Sequence, residues 1–175
     1  MARVALVTGG MGGLGESICI KLAALGYKVV TTHSPGNTGA AEWLQTMNNM
    51  GYGFKAYPCD VADFDSCKAC VDTVTADIGP VDVLVNNAGI SISGLITDLT
   101  AEDWRRLMGV NLDGSFYCAQ AAAKQMLRQK NGSIIQISSI WGVTGASCEV
   151  AYSASKAGVI GLTKALAKEL GPSGI

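Results

Sequence analysis

The feature that most constrains the fold is a glycine-rich turn between an apolar segment and a helical pattern near the start of the chain. The run Ala2–Val7 is short and mostly apolar, which predicts a buried strand. The turn Thr8-Gly-Gly-Met-Gly-Gly-Leu-Gly15 follows it directly, and apolar residues then recur at helical spacing as far as Leu25. A strand, a glycine-rich turn and a helix in this order place backbone N–H groups and a helix N-terminus around a phosphate. The order favours a dinucleotide site over the alternative, a merely flexible loop.

Three of these glycines have distinct expected roles. Gly9 lets the chain turn sharply, Gly13 lets backbone N–H groups approach a pyrophosphate, and Gly15 lets the helix pack closely on the strand. Each role depends on the missing side chain, because a Cβ atom would fill the space that the turn needs.

The rest of the chain alternates apolar strand segments with helical patterns. Four further strands are predicted, at Lys28–Thr32, Phe54–Val61, Val81–Val85 and Ile134–Ile137. Helices are predicted between and after them, at residues 41–50, 64–78, 104–128 and 151–170. Regular alternation of this kind predicts an α/β fold with right-handed crossovers and a parallel sheet covered on both faces.

The segment Tyr152-Ser-Ala-Ser-Lys156 opens the last helical pattern and carries a candidate proton-transfer pair. Positions i and i+4 are neighbours on a helix, so Lys156 stands beside Tyr152. An ammonium near a phenol favours the phenolate, which readies the phenol for proton exchange near neutral pH. Ser139 follows the fifth strand, at the sheet edge where ligands bind. The plain alternative is an ordinary helix with a surface tyrosine and lysine.

Composition excludes several classes of function. The net charge is −1, so no general attraction to nucleic acid is expected, and no apolar run is long enough to span a membrane. The first residues do not resemble a signal peptide, so we expect a cytoplasmic protein.

Cys67 and Cys70 have CxxC spacing but no companion ligands, and we expect them to be small apolar residues on one helix face, with no metal. His33 is expected in a loop near a ligand.

The loop after the second strand bears on cofactor choice. An NAD site usually has an acidic residue at the end of this strand, and none is present here. Thr32, Ser34 and Asn37 offer neutral donors for the 2′-phosphate of NADP, although no arginine lies nearby in sequence. The loop therefore favours NADP, with NAD as the alternative.

Polar residues after the later strands complete the candidate site. Asp60 is expected to accept from an adenine amino group beside Val61, or else to serve as an N-cap or turn residue. The motif Asn86-Asn-Ala-Gly89 supports the sheet through its amides, and its small residues admit a ligand. Asn111 lies within an apolar helical pattern, where it either kinks the helix by bonding to backbone or holds a water.

Taken together, these residues resemble the short-chain dehydrogenase/reductase family. The matching positions, which fall in the order of the family motifs, are Thr8, Gly9, Gly13, Gly15, Asp60, Asn86-Asn-Ala-Gly89, Asn111, Ser139, Tyr152 and Lys156. The resemblance implies a Rossmann-type doubly wound sheet of five strands in the order 3-2-1-4-5. It also implies catalysis by Ser139, Tyr152, Lys156 and Asn111. The residues implied to bind the cofactor are Gly9, Gly13, Leu14, Gly15, Thr32, Ser34, Asn37, Asp60, Val61, Asn87, Ala88, Gly89, Tyr152 and Lys156.

Within the family the chain is most similar to the 3-oxoacyl-thioester reductases. The first half resembles acetoacetyl-CoA reductases, and the segment from Ser138 onward resembles 3-oxoacyl-acyl-carrier-protein reductases. The resemblance implies NADPH-dependent reduction of an acyl-CoA or acyl-carrier-protein thioester, in fatty acid or polyhydroxybutyrate biosynthesis. One departure is Ile90-Ser-Ile-Ser-Gly94, which replaces the Thr-Arg-Asp often found there. The alternatives are a reductase or dehydrogenase of another secondary alcohol, and a nucleotide-binding fragment without turnover.

The resemblance also implies an oligomer and a longer chain. Family members commonly pair through the helices predicted here at residues 115–128 and 151–170. They continue with two more strands and a loop over the substrate, so residues 1–175 are expected to be a single dinucleotide-binding and catalytic domain without those parts. The fifth strand is then expected to be an exposed edge that pairs with a partner or lowers solubility.

Overall fold

A computed structural model describes residues 2–175, which form one five-stranded parallel sheet in the order β3-β2-β1-β4-β5. The strands are β1 (Val4–Val7), β2 (Lys28–His33), β3 (Lys55–Pro58), β4 (Val81–Asn86) and β5 (Ser133–Gln136). The helices are α1 (Gly13–Ala24), α2 (Ala40–Asn49), α3 (Phe64–Asp77), α4 (Ala101–Met108), α5 (Gly114–Gln129), α6 (Trp141–Thr144) and α7 (Val150–Leu170). The predicted fold class and strand order are confirmed.

The central strands are buried because both faces of the sheet are covered by helices. In β1, Leu6 pairs with Leu84 of β4, and both side chains belong to a core that includes residues of α3 and α5. The next pair, Val7 and Val85, points the other way into a core that includes Cys19 of α1. Successive side chains of a strand point to opposite faces, so an apolar run is what a sheet buried on both sides requires.

The edge strands are less buried than the prediction of a sheet covered on both faces implies. β3 and β5 are four residues long and only partly buried, and Ile135 of β5 is 46% exposed. β5 lies at the edge of the sheet, as expected, and the predicted partner for this edge stays a prediction.

The helix predicted at residues 104–128 is interrupted, and the interruption was not predicted from the sequence. A π-helical turn at Gly109–Asp113 separates α4 from α5, and Asn111 lies within it. A π turn carries an extra residue, which changes the direction of the side chains that follow, and such turns are frequent at functional sites. α4 begins with a capping box between Thr100 and Asp103. The short helix α6 was not predicted at all.

Two glycines of the glycine-rich turn, Gly9 and Gly15, are required for different reasons. Gly9 has a φ of +64°, and a Cβ there would lie 3.1 Å from the Cα of Ala88. A Cβ on Gly15 would lie 2.4 Å from the carbonyl oxygen of Gly9 and 2.7 Å from Nδ2 of Asn87. The close neighbours of Gly15 are therefore the turn itself and the segment after β4, and the predicted close packing of the helix on the strand stays a prediction.

We expect Gly15→Ala to destabilise the protein by about 1–3 kcal/mol, because the new methyl group overlaps backbone that has no room to move. Gly13→Ala is the matched control, since a Cβ there meets no atom within 4 Å. Urea denaturation of both variants gives the free energies of unfolding. Equal stability of the two variants would contradict the packing described for Gly15.

The cysteines are core residues, as expected for Cys67 and Cys70. Both are buried on α3, and Sγ of Cys67 lies 3.5 Å from Sγ of Cys118 on α5. Within residues 2–175, no three His, Cys, Asp or Glu side chains are arranged to hold a metal ion. The predicted absence of a metal stays a prediction.

Exposure predicts that one thiol reacts quickly. Cys148 is exposed, whereas the other five cysteines of the chain are buried. Burial, together with the nearby Glu16 carboxylate, raises the pKa of the Cys19 thiol to about 12, which keeps it protonated and inert. We expect a disulfide reagent such as dithionitrobenzoate to label one thiol rapidly in the native protein and six after denaturation. Fast labelling that persists in Cys148→Ser would contradict this burial pattern.

Candidate active site

An open cleft of about 720 Å³ lies along the carboxyl ends of all five strands. This is the edge at which ligands bind to open parallel sheets. The predicted site residues that line it are Gly9, Gly13, Leu14, Gly15, Thr32, Ser34, Asp60, Val61, Asn87, Ala88, Gly89, Tyr152 and Lys156. The predicted residues that do not line it are Asn37, Asn111 and Ser139.

The floor of the cleft at one end is the amino terminus of α1. Its N-cap is Gly12, and no side chain caps the helix. The first N–H groups of a helix have no partner within the helix, and the helix dipole adds partial positive charge there. Gly13 begins the helix beside open space, because a Cβ at this position meets nothing within 4 Å. The helix start can therefore receive a phosphate group, which fits a dinucleotide cofactor.

The turn is held in place by hydrogen bonds to the segment after β4. Oγ1 of Thr8 accepts from the backbone N–H groups of Asn87 and Ala88, each at 3.0 Å. The Asn87 side chain in turn donates to the carbonyl oxygens of Thr8 and Gly9, at 3.0 and 3.1 Å. Asn86 supports the fold differently, through a bond from Nδ2 to the carbonyl oxygen of Ser115. Asn87 thus bonds to the segment after the neighbouring strand β1, as expected, whereas the bond of Asn86 joins the sheet to α5.

At the end of β2 the structure separates Asn37 from the other residues predicted to bind the cofactor. Oδ1 of Asn37 accepts from the N–H of Gly39 at 2.8 Å, so this amide closes its own loop and does not line the cleft. Thr32, Ser34 and His33 do line it, and Nδ1 of His33 lies 2.9 Å from the carbonyl oxygen of Ser34. Asparagine readily makes such local bonds in turns, which competes with ligand binding.

An arginine also lines the cleft, although none lies near the β2 loop in sequence. Arg106 comes from α4 and is exposed. No motif in the sequence indicates that Arg106 belongs to this site. Only the fold brings it to the same cleft as the β2 loop, which lies more than 70 residues earlier in the chain.

Asp60 and Val61 line the cleft after β3. Oδ1 of Asp60 accepts from the N–H of Ala62 at 3.0 Å, so the turn role anticipated for this residue is observed. The N-cap of α3 is a different residue, Asp63, whose carboxylate accepts from the N–H of Ser66. The second carboxylate oxygen of Asp60 and the exposed position of its side chain leave it available to a ligand.

Lys156 is buried and directed at the end of β5. Its Nζ donates to the carbonyl oxygen of Ile137 at 2.8 Å, and Oγ of Ser138 donates to the carbonyl oxygen of Lys156 at 2.9 Å. Nζ also lies 5.7 Å from the centre of the Tyr152 ring. Burial lowers the pKa of Lys156 below its ordinary value of 10.5. The predicted proximity of the amine to the phenol is therefore observed, in a site that favours the loss of a lysine proton.

Tyr152 is oriented by an aromatic contact. The ring of Trp141 meets it edge to face, with the ring centres 5.9 Å apart. Trp141 lies in α6, which packs so closely on α7 that a Cβ on Gly142 would lie 2.7 Å from the carbonyl carbon of Lys156.

Ser139 precedes α6, and its Oγ accepts from the N–H of Trp141 at 3.2 Å. The hydroxyl keeps its proton for another acceptor, while its neighbour Ser138 is the serine that lines the cleft.

Asn111 bonds to backbone, which was one of the two roles anticipated for it. Its side chain is fully buried, with Oδ1 accepting from the N–H of Ile90 at 2.8 Å and Nδ2 donating to the Ile90 carbonyl at 2.9 Å. Nδ2 also donates to Oγ of Ser155 on α7. A Cβ on Gly89 would lie 3.3 Å from Oδ1 of Asn111 and 3.5 Å from Nζ of Lys156, so these two groups flank Gly89.

The lowered pKa of Lys156 predicts how stability depends on pH. Between its folded-state pKa and 10.5, the unfolded chain holds a proton that the folded chain has released, so stability rises with pH in this interval. We expect wild type to gain stability relative to Lys156→Met as the pH is raised toward 10.5. Urea denaturation across this range measures the gain, with exposed Lys168→Met as the control. A constant difference would show that burial does not perturb Lys156.

Comparison with known proteins gives one consistent result. The family model described as short chain dehydrogenase matches residues 3–175. Nodulation protein G of Azospirillum brasilense is 44% identical over 99% of this chain and 70% of its own length. The 3-oxoacyl-[acyl-carrier-protein] reductase FabG of Staphylococcus aureus is 41% identical over 100% of this chain and 71% of its own length.

Two further similarities extend this result. Acetoacetyl-CoA reductase of Rhizobium meliloti is 43% identical over the whole of this chain and 70% of its own length. The crystal structure of gox2181 superposes with a TM-score of 0.93 at 34% identity, covering 99% of this chain and 68% of that one. The chain belongs to the short-chain dehydrogenase family, a family of NAD(P)-dependent oxidoreductases.

Proposed function

We propose that this protein uses NADPH to reduce a 3-oxoacyl thioester, of the acetoacetyl-CoA kind, to the 3-hydroxyacyl thioester. The observation that carries the proposal is that Tyr152 and Lys156 line the same cleft as the uncapped start of α1. Relatives named as 3-oxoacyl and acetoacetyl-CoA reductases over the whole chain support the substrate class.

The described residues fit a dinucleotide along the cleft. We assign its pyrophosphate to the N–H groups from Gly13 to Gly15, its adenine to the region of Asp60 and Val61, and its nicotinamide end to the neighbourhood of Gly89. When bound, the reduced cofactor supplies a hydride to the carbonyl carbon of the substrate. Ala88 and Gly89 leave room for it because they are small.

Side chains of the protein supply the proton and bind the substrate oxygen. Tyr152 donates its proton to the oxygen as negative charge develops there, and Lys156 stabilises the resulting phenolate. Ser139 donates a hydrogen bond to the same oxygen. We assign to Asn111 the role of holding a water through which protons return from solvent to Lys156. Asn111 and Lys156 both flank Gly89.

The preference for NADPH over NADH rests on charge at the end of β2. A carboxylate there would repel a 2′-phosphate, and Thr32, His33 and Ser34 carry none. Arg106 adds a positive charge to the lining of the same cleft. NADH is the alternative cofactor.

We also propose that residues 1–175 act as one cofactor-binding and catalytic unit in a cytoplasmic homo-oligomer. The helices assigned to pairing are α5 and α7, whose small residues permit close approach between copies. No helix among residues 2–175 combines the length and the apolar character needed to cross a bilayer. Nucleic acid is not expected as a partner at a net charge of −1.

The test is the rate of oxidation of NADPH and of NADH, followed by the absorbance of the reduced nicotinamide. Acetoacetyl-CoA is compared with a panel of ketones that includes sugars and cyclic ketones. The proposal expects the highest kcat/KM with NADPH and acetoacetyl-CoA. A higher kcat/KM with another ketone would assign the protein to that substrate class. Nucleotide binding without any turnover would leave a binding module and contradict the proposal.

A further inference from the structure

Glu149 is a buried carboxylate whose bonds connect the segment after β4 to the start of α7. It is 7% exposed and occupies the N-cap position of α7, yet its side chain does not cap the helix. Instead Oε2 accepts from Oγ of Ser91 at 2.8 Å, and Oε1 accepts from Oγ of Ser93. A buried carboxylate with two hydroxyl donors is a built arrangement, because burial of a charge without partners is strongly unfavourable.

The connected segment, residues 90–94, is held at both ends. Asn111 holds Ile90 through its N–H and its carbonyl, and the N–H of Gly94 donates to the carbonyl oxygen of Cys148 at 2.9 Å. Ser91 lies between these anchors and lines the cleft. Tyr152 lies one turn after Glu149 on α7 and lines the same cleft. Ile90 and Ser91 therefore form a wall of the cleft that also holds Tyr152.

The bonds of Glu149 decide what Ser91 can offer to a ligand. A hydroxyl has one proton, and the proton of Ser91 is donated to the carboxylate. Its oxygen therefore presents only lone pairs to the cleft and accepts hydrogen bonds there. The negative charge of Glu149 behind it repels a second anion more strongly than it would in water, since screening is weak at a buried site.

We propose that Glu149 is a specificity-determining positioning residue, which makes this wall select neutral ketones and reject ketones that carry a free carboxylate. A thioester or ester passes this selection, whereas the 3-oxo acid itself does not. The inference rests on the proposed function only in placing the substrate carbonyl near Tyr152.

The test compares ethyl acetoacetate, which is neutral, with acetoacetate, which has the same ketone and a carboxylate. The measured quantity is the ratio of kcat/KM for the ester to kcat/KM for the acid, with NADPH as the reductant. Glu149→Gln removes the charge and keeps a group of the same shape near both serines. We expect this variant to lower the ratio by about tenfold, mainly through a lower KM for acetoacetate.

Two controls separate charge from structure. Glu149→Asp keeps the charge, and Glu169→Gln removes an exposed carboxylate from the same helix. Both are expected to keep the wild-type ratio within about twofold. A ratio in Glu149→Gln that matches wild type, or an equal decrease in Glu149→Asp, would overturn the inference.

A failure of the proposed function has a different outcome. If neither of these ketones nor acetoacetyl-CoA is reduced, the proposed function fails, and the dissociation constants of the ester and the acid, measured calorimetrically in the presence of NADP⁺, decide the inference. The same tenfold change in their ratio is then expected in Glu149→Gln. An unchanged ratio, or no binding of the ester to wild type, would overturn it.

Discussion

Replacement of Tyr152 by phenylalanine is expected to lower kcat by about 10²–10⁴-fold, the range that a positioned general acid supplies. The substitution removes only the hydroxyl, and the ring keeps its edge-to-face contact with Trp141 and its position near Nζ of Lys156. Fold and cofactor binding should therefore persist. The loss should appear in kcat rather than in the dissociation constant of NADPH.

Steady-state kinetics and NADPH fluorescence titration measure these two effects separately. Tyr52→Phe is the matched control, because Tyr52 stacks on Phe54 away from the cleft and its ring survives the change. Turnover of Tyr152→Phe at the wild-type rate would remove Tyr152 from the proposed chemistry. A large rise in the dissociation constant of NADPH would instead indicate a binding role.

The second large effect is expected from Asn111→Ala, which should destabilise the protein by about 3–5 kcal/mol. The substitution removes the fully buried Asn111 amide and leaves the N–H and carbonyl of the partly buried Ile90 without their partner, and Oγ of Ser155 loses its donor. A small cavity adds to the cost. Since Ile90 begins the segment that carries Ser91, turnover should decline as well.

Denaturant titration of Asn111→Ala measures the loss, with Asn49→Ala as control at an exposed position at the end of α2. The control is expected to change the free energy of unfolding by less than about 0.5 kcal/mol. A loss below about 1 kcal/mol in Asn111→Ala would mean that its three bonds are replaced without cost, contrary to the role described.

The elements that the sequence predicted best are those whose pattern is local. The apolar run at Val4–Val7, the glycines after it and the helical spacing up to Ala24 are adjacent in the chain, so their order alone predicted strand, turn and helix. The pairing of Tyr152 with Lys156 is equally local, since it depends only on the helical repeat.

The features that the sequence did not reveal depend on distant contacts. Arg106 and Ser91 carry no motif, and only the fold brings them to the cleft. Asn37 was assigned to the cofactor because of its residue type, and the bond that its Oδ1 accepts from the N–H of Gly39 gives no sequence signal. Glu149 gives no sequence signal because its partners, Ser91 and Ser93, lie more than 50 residues away.

The π turn at Gly109–Asp113 was missed for a related reason. Its residues continue the apolar helical pattern on either side, and the extra residue is recognisable only from the way Asn111 turns toward Ile90. The partial exposure of β5 likewise reflects its edge position, which composition alone does not show.

The central claim is that the phenol of Tyr152 and the amine of Lys156 act on a carbonyl group in the same cleft as the glycine-rich turn that is assigned the cofactor. The most direct test uses NADPH that carries deuterium at both C4 positions of the dihydronicotinamide, with mass spectrometry of the alcohol formed from ethyl acetoacetate. The account predicts one deuterium on the carbinol carbon with wild type and almost no labelled alcohol with Tyr152→Phe. An alcohol without deuterium from wild type, or equal labelling by Tyr152→Phe, would contradict it.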